Sequence, residues 1–362
     1  MKITKLELTN FRNYENLAIE LKNGLNVLVG KNAQGKTNLV EAINFCSIGK
    51  SHRTSKEKEL IKFDKDNARI KVTLEKSSGQ KSIEIILSRT QKKIVRINGL
   101  SILKIGELFE NLNVTFFSPE DLKLVKESPQ DRRKFIDIAL CQMSKVYFYN
   151  LVKYDKILQQ RNKLLKTSFD HNIAKNGLEV WNEQLAKVGA KLVLARHNFV
   201  NHLDKIANEK HKILTNDKEN LILSYTGFKG ENVDEIYRQF FASLEQSIEK
   251  DLQLGYTTVG PHRDDIKIVC NDIDIRNFGS QGQQRTTALS LKLAELEIFK
   301  EEIGEYPVLI LDDVLSELDK FRCDQLLANV QKVQTILTCT QFDFQIPATK
   351  FFVENGKIAK QN

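Results

Sequence analysis

Cysteine is scarce and scattered. Cys46, Cys141, Cys270, Cys323 and Cys339 lie far apart and form no C-x-x-C pair, so neither a zinc site nor a disulfide framework is suggested and five buried thiols are expected. Long apolar runs are also missing. The longest are strand-length, such as Val308-Leu309-Ile310-Leu311, and residues 2–10 alternate like a strand instead of forming a leader. The expectation is a soluble cytoplasmic protein without a membrane span. No internal repeat, low-complexity tract, zinc finger, helix-turn-helix or aromatic RNA-binding motif occurs. An acidic excess is lacking too: 55 Lys and Arg against 47 Asp and Glu leave a net charge of +8. A polyanionic partner fits that balance, with nucleic acid as the leading candidate.

What is present begins with size. A chain of 362 residues exceeds what one hydrophobic core supports, so two domains, or one with a large insertion, are expected. Gly30-Lys31-Asn32-Ala33-Gln34-Gly35-Lys36-Thr37 follows an apolar stretch at 25–29 and precedes the helical run Leu39, Val40, Ile43. Two glycines let such a loop wrap phosphate oxygens while its N–H groups and the following helix N-terminus point inward. In this pattern Lys36 reaches the β/γ-phosphates and Thr37 ligates Mg²⁺. The spacing predicts a nucleoside triphosphate site.

Residues 1–117 read as strand-rich, with a tight hairpin turn at Asn98-Gly99 and a mixed sheet around the helix of the phosphate loop. Residues 118–255 change to a helical period. Leu151, Tyr154, Leu158 and Leu165, then Leu178, Trp181, Leu185, Val188, Leu192, Ala195 and Phe199, predict two long antiparallel helices. The break between them is expected at 167–177, where Asp170, Asn172, Asn176 and Gly177 supply turn chemistry. Strand patterning resumes over 256–362. The expected architecture is an α/β nucleotide-binding head, built from 1–117 and 256–362, carrying an inserted helical hairpin or lid.

The C-terminal lobe holds the second half of the site. Val308-Leu309-Ile310-Leu311-Asp312-Asp313 reads as a buried strand ending in two carboxylates, Asp312 for Mg²⁺ and Asp313 for the attacking water. Ser280-Gln281-Gly282-Gln283-Gln284-Arg285 opens a helix. Ser280 and Gln283 match a capping box, and Gly282 is costly in a first turn unless backbone must approach something closely. A γ-phosphate suits that helix N-terminus.

These motifs, with Ser316-Glu317-Leu318-Asp319, resemble the ABC-type ATPases of the SMC-like branch. Asn10-Phe11-Arg12-Asn13-Tyr14, Ser51-His52-Arg53-Thr54, Phe117-Ser118-Pro119-Glu120-Asp121-Leu122 and Gly260-Pro261-His262-Arg263-Asp264-Asp265 narrow the resemblance to the RecF family of bacterial recombination mediators, over essentially the whole chain. The resemblance implies an ATP-dependent homodimer in which Ser280 and Gly282 complete the partner's phosphate site and Asp319 lies at the dimer contact. It implies that residues 30–37 bind ATP, with Arg12 nearby, and that Lys36 and Asp313 serve catalysis while Thr37 and Asp312 hold Mg²⁺. It also implies DNA replication and repair at single-strand gaps, recombinase loading, SOS induction, and RecO and RecR as partners. Two departures from general ABC enzymes predict slow hydrolysis: Asp313 stands where many relatives carry Glu, and Thr338-Cys339-Thr340 stands where others place a switch histidine.

DNA contacts are expected in two basic stretches. Residues 50–62 carry five cations, among them Arg53, Lys56 and Lys58, against two acids, and 81–96 carry five, among them Lys92 and Lys93, against one. Arg161, Lys163 and Lys166 are weaker candidates. Binding through such residues is to backbone, without sequence preference and steeply salt-sensitive. Arg132 and Arg133 are expected to connect nucleotide state to the insertion, while His262 belongs to a structural loop in which Arg263 pairs a carboxylate. The competing readings are the ATPase subunit of a membrane transporter or of a chromosome-maintenance system. Asp313, the missing histidine and the basic balance oppose the first. A hairpin spanning only a few tens of ångströms at about 1.5 Å per residue opposes the second.

Overall fold

The structure, a computed structural model, describes residues 1–167 and 171–361. It comprises two compact units, Met1–Leu122 with Ala288–Asn362, and Lys123–Thr287. In the first unit β1 (Lys2–Phe11), β2 (Tyr14–Glu20), β3 (Leu25–Val29), the helix α1 (Lys36–Ile48), β4 (Asn67–Lys76), β5 (Gly79–Ser88), β6 (Ile94–Ile97), β7 (Leu100–Ser101) and β8 (Val114–Phe117) come first. The second unit contributes β9 (Leu221–Thr226), β10 (Asp265–Cys270) and β11 (Ile273–Asp274). The first then resumes with β12 (Val308–Asp312), β13 (Thr335–Cys339), β14 (Thr349–Glu354) and β15 (Lys357–Gln361).

Where one mixed sheet was expected around the phosphate loop's helix, there are two. An antiparallel sheet runs β2-β1-β4-β5-β6-β7, and a second runs β15-β14-β3-β13-β12-β8, parallel from β14 to β8. Side-chain periodicity explains the separation. Burial alternates along β4 and β5, as in strands with one covered face, whereas β12 and β13 are buried at every residue and occupy the middle of a sheet covered on both sides. Between the sheets lies α1, which packs on β4 and β5 as well as on β8, β12 and β13. Its polar residues Glu41, Asn44 and Ser47 are therefore buried along with its apolar ones. The hairpin turn at Asn98-Gly99 forms as expected, both residues at positive φ (50° and 82°), with Ile97 opposite Leu100.

In the second unit the helices Lys145–Thr167 and His171–Thr215 pack along one another as the expected pair. Their break is shorter than 167–177. The second helix has begun by His171, and Gly177 sits within it at a close helix approach, where a Cβ would come within 3.1 Å of Leu164. The turn chemistry assigned to Asp170, Asn172 and Asn176 falls outside the described residues and side chains. Burial also corrects Arg161. Its guanidinium is enclosed between the helices, donating to Asn182 Oδ1, Asp251 Oδ2 and Thr257 Oγ1, each at 2.7 Å, and it offers nothing to DNA.

A strand not expected from the sequence, β9, pairs with β10, and with β11 they make a three-stranded sheet. This sheet draws residues 256–287 into the helical unit, so the division expected at 255 falls inside it. Arg132 and Arg133 fasten the same sheet. Arg132 grips both oxygens of Asp265 (2.6 and 2.9 Å), and Arg133 donates to the Asp264 carbonyl (2.6 Å). Arg132, and not Arg263, is thus the carboxylate's partner. Arg263 lies over the Tyr256 ring, and His262 is held by the Tyr154 hydroxyl and the Thr257 carbonyl.

Asp264 itself is buried and accepts the Tyr225 hydroxyl, and burial raises its carboxyl from 3.8 to about 6. The folded state then binds a proton more tightly than the unfolded chain between those values, so the stabilisation is full below the unfolded value and lost as pH rises through about 6. Asp264→Asn, neutral throughout, should gain up to about 3 kcal/mol on the parent protein between pH 4 and 7. Urea unfolding across that range measures the difference, and a flat difference would mean that Asp264 titrates as an ordinary carboxyl.

Candidate nucleotide site

The phosphate loop joins β3 to α1, and its glycines are dictated by the surrounding chain. A Cβ at Gly30 would lie 2.4 Å from the Val353 carbonyl oxygen, and Gly35 has φ 113° with the Asn13 side chain 2.5 Å from where its Cβ would be. Lys36 turns its ammonium back onto the loop, donating to the carbonyls of Gly30 (2.5 Å) and Lys31 (3.0 Å). The Thr37 hydroxyl meets Asp312 Oδ1 at 3.1 Å, because β12 ends beside the first turn of α1. On neighbouring β13, Thr338 donates to the same Asp312 oxygen (2.7 Å) and accepts the Asp313 N–H (3.0 Å). The sequence reading missed Thr338. Its signal was the expected switch-histidine segment, which holds a hydroxyl that fixes the Asp312 carboxylate and the Asp313 backbone.

Lys36, Thr37, Asn38, Arg53, Asp313 and Thr338 line, with the loop, a cavity of about 360 Å³. Burial pushes the Lys36 ammonium down, opposed by Asp313 and Asp312. Burial pushes the Asp313 carboxyl up; Lys36 opposes the shift, and Asp312 and Glu317 add to it. Asp313 also sits at φ 56°, a left-handed conformation that sets its side chain at the turn after β12.

The other missed residue is Glu41, one turn into α1. Its fully buried carboxylate receives Arg12 Nη2 and Nε (2.8 and 2.9 Å), the Ser51 hydroxyl (2.5 Å) and Arg53 Nη1 (3.3 Å). Burial alone raises this carboxyl, but the hydrogen bonds from Arg12 and Ser51 and the charges of both arginines outweigh it, so the net shift is downward. Arg12 thus reaches the loop's neighbourhood through Glu41, while Asn13 binds the Gln34 carbonyl (3.1 Å) and Asn38 (2.8 Å). Arg53, expected on a DNA surface, instead faces the cavity and bonds Asn38 (2.9 Å).

In the second unit, Ser280 and Gln283 form the expected capping box at 3.2 and 3.0 Å. A Cβ at Gly282 would meet only the Ser280 hydroxyl, at 3.9 Å, so nothing within the unit requires glycine there. Asp319 caps the helix Lys320–Asn329 and pairs with Arg322. Among the basic candidates, Lys56, Lys58 and Lys92 are exposed. Lys93 is committed to Glu57 and the Gly49 carbonyl (2.6 Å). That pair, with Arg89 on the Lys65 carbonyl (2.8 Å), brings the two basic stretches side by side.

A helix wrapped by a parallel sheet and an antiparallel sheet, with a phosphate loop facing paired carboxylates, defines the head of an ABC-type ATPase. A family model described as the RecF/RecN/SMC N terminal domain matches residues 2–352. The DNA replication and repair protein RecF of Clostridium tetani (strain Massachusetts / E88) is 47% identical over 365 residues, 99% of each chain. That of Clostridium botulinum (strain ATCC 19397 / Type A) is 45% identical over 367 residues, 99% of this chain and 100% of the other. A solved structure of the recombination mediator protein RecF-ATPrS in the RecFOR pathway superposes with a TM-score of 0.92 at 36% identity, covering 99% of this chain and 97% of that one. An Smc head bound to the C-winged helix domain of ScpA (TM-score 0.59, 16% identity, 99% of this chain and 96% of that one) shares the fold alone. The chain belongs to the RecF family.

Removing one partner of a buried ion pair strands the other charge. Arg12→Ala is expected to lower unfolding free energy by about 3 kcal/mol, since Arg53 and Ser51 still hold part of the Glu41 charge. Urea denaturation checks this, and a loss below about 0.5 kcal/mol, the range of a surface substitution, would count against Glu41 as an anchor.

Proposed function

We propose that this protein is an ATP-dependent DNA-binding protein of replication and recombinational repair, which closes as a homodimer around two ATP molecules and opens after slow hydrolysis. The observation that carries the reading is the convergence of Lys36, Thr37 and Asp313 on one cavity, with Asp312 against Thr37. Lys36, now on loop carbonyls, exchanges them for β/γ-phosphate oxygens. Asp313 orients the attacking water. The relative solved as RecF-ATP, 35% identical with a TM-score of 0.91, supports ATP as the nucleotide.

Mg²⁺ fits the donor set. Cis oxygens around an octahedral Mg²⁺ lie about 2.9 Å apart, and the Thr37 and Asp312 oxygens are 3.1 Å apart. The ion supplies charge neutralisation between the phosphates. Arg53, reassigned to the cavity, reaches phosphate or ribose oxygens, and Arg12 acts behind it through Glu41. Ser280 and the unhindered Gly282 backbone address the partner subunit's γ-phosphate, with Asp319 at the dimer contact. Asp313 has a shorter reach than Glu, and the Thr338 position supplies no imidazole, so hydrolysis times release without driving rapid turnover. Lys56, Lys58 and Lys92 hold DNA phosphates, and the pathway named for the solved relatives supports RecO and RecR as partners in the cytoplasm. Among the described residues no helix is long and apolar enough to cross a membrane.

Light-scattering mass with ATP, ADP and no nucleotide is the test. ATP is expected to give a dimer that Ser280→Arg and Lys36→Ala both lose, Lys36→Ala through ATP affinity reduced at least tenfold and Ser280→Arg with that affinity retained. A mass independent of nucleotide would overturn the clamp. For DNA, Lys56→Glu with Lys58→Glu should weaken binding and reduce the slope of log affinity on log salt by about 2, near 0.9 per phosphate contact. An unchanged slope would remove this face from the DNA site.

A further inference from the structure

His211, Glu219 and Cys270 meet inside the second unit with one ligand atom each within 4.8 Å of the others. His211 Nε2 lies 2.9 Å from Glu219 Oε2, and Cys270 Sγ lies 3.7 Å from each. The fold brings them together from distant points of the chain, which is why no spacing motif announces them. In the β9–β10 pair Leu221 stands opposite Cys270, so Glu219, two residues earlier, lies at the end of β10. The last turns of the helix His171–Thr215 cover that end. Asn208 ties them down by donating to Asn220 Oδ1 and accepting the Leu221 N–H, both at 3.1 Å.

We propose that these three side chains form a binding site for a zinc-class divalent cation. Thiolate, imidazole and carboxylate are the ligand types that such ions take, and three protein ligands leave a fourth position for water. Tetrahedral zinc sets sulfur about 3.6 Å from its nitrogen and oxygen neighbours, and nitrogen about 3.3 Å from oxygen. Two edges of the triangle already match, and the third opens by less than half an ångström. On binding, the thiol loses its proton, and the ion replaces the hydrogen bond between His211 and Glu219. His211 and Cys270 are buried while Glu219 is partly exposed, which gives the ion a route in from solvent.

The carboxylate has the second partner that ligating groups characteristically have. Gln283 Nε2 holds Glu219 Oε1 at 3.0 Å, while Gln283 Oε1 accepts the Ser280 N–H. One chain of contacts therefore runs from the three ligands to Ser280, at the turn that opens the helix Gln281–Ile303. The sequence reading, which looked for paired cysteines, set zinc aside for want of them.

The test is direct and independent of ATPase activity. Chelator-stripped protein titrated with Co²⁺ should develop, at one equivalent, a near-ultraviolet thiolate-to-cobalt charge-transfer band with the visible bands of tetrahedral cobalt, and Zn²⁺ should displace them. Cys270→Ser should abolish the charge-transfer band. Cys339→Ser, which alters the thiol beside Lys36, should keep it. Glu219→Gln preserves shape and keeps one oxygen to accept from Gln283, so the protein without metal should keep its fold while Co²⁺ affinity falls roughly tenfold or more. Absence of the band in the parent protein, or an identical band in Cys270→Ser, would overturn the site and leave a hydrogen-bonded triad.

Discussion

The Glu41 carboxylate is the constraint on which the nucleotide site depends. α1 must lie between two sheets to deliver the phosphate loop, and a helix enclosed on both sides has no face on which a charge meets water. A buried carboxylate is tolerable only when paired and hydrogen-bonded. Glu41 meets that condition by drawing in Arg12 from the turn after β1 and Ser51 and Arg53 from the segment after α1. Three chain segments are thereby held at fixed positions around the loop. Arg12 even adopts a left-handed backbone (φ 53°) to reach it.

The same carboxylate decides how much positive charge the cavity presents. Arg12 gives two hydrogen bonds to Glu41 and is largely neutralised, whereas Arg53 is held there by one longer contact and by neutral Asn38. Arg53 is the arginine with charge to spare. Lys36 is likewise held by carbonyls, which are weaker partners than phosphate. Both cations are held by neutral partners, and the proposed exchange of those partners for an anion would favour each.

Legibility in the sequence followed the range of the interactions. The loop, the carboxylate pair, the capping box and the Asn98-Gly99 turn depend on residues adjacent in the chain, and all were readable. β12 was readable as a central strand because four apolar residues in a row cannot face water. The separation into two sheets was not, since strand pairing between β3 and β13 joins residues some three hundred positions apart. Arg53, Arg161 and Lys93 all looked like solvated cations within charged runs. Their actual partners, Glu41, Asp251 and Glu57, lie outside any local window or, for Glu57, in another predicted segment. Net charge over a stretch says how many cations there are, and pairing in three dimensions decides which remain available. Of those named for DNA, exposed Lys58 and Lys92 keep that availability, while exposed Lys56 is shared with Glu59 (4.0 Å).

The glycines carry the argument one step further. Gly30 and Gly35 are explained by their own unit: one is crowded by Val353, the other is left-handed and crowded by Asn13. Gly282 is neither crowded nor left-handed, and glycine gives up more conformational freedom on entering a helix than alanine does. A residue that destabilises its own helix and relieves no contact within its unit points to something that approaches from outside. Ser280 is exposed beside it, and the hydrogen bonds of Gln283 run to the Ser280 N–H and to Glu219, so the turn is held in shape while its outer surface stays uncovered. Rigid backing behind an open glycine is the arrangement that a shared phosphate site requires, because the donors must be in place before the ligand arrives.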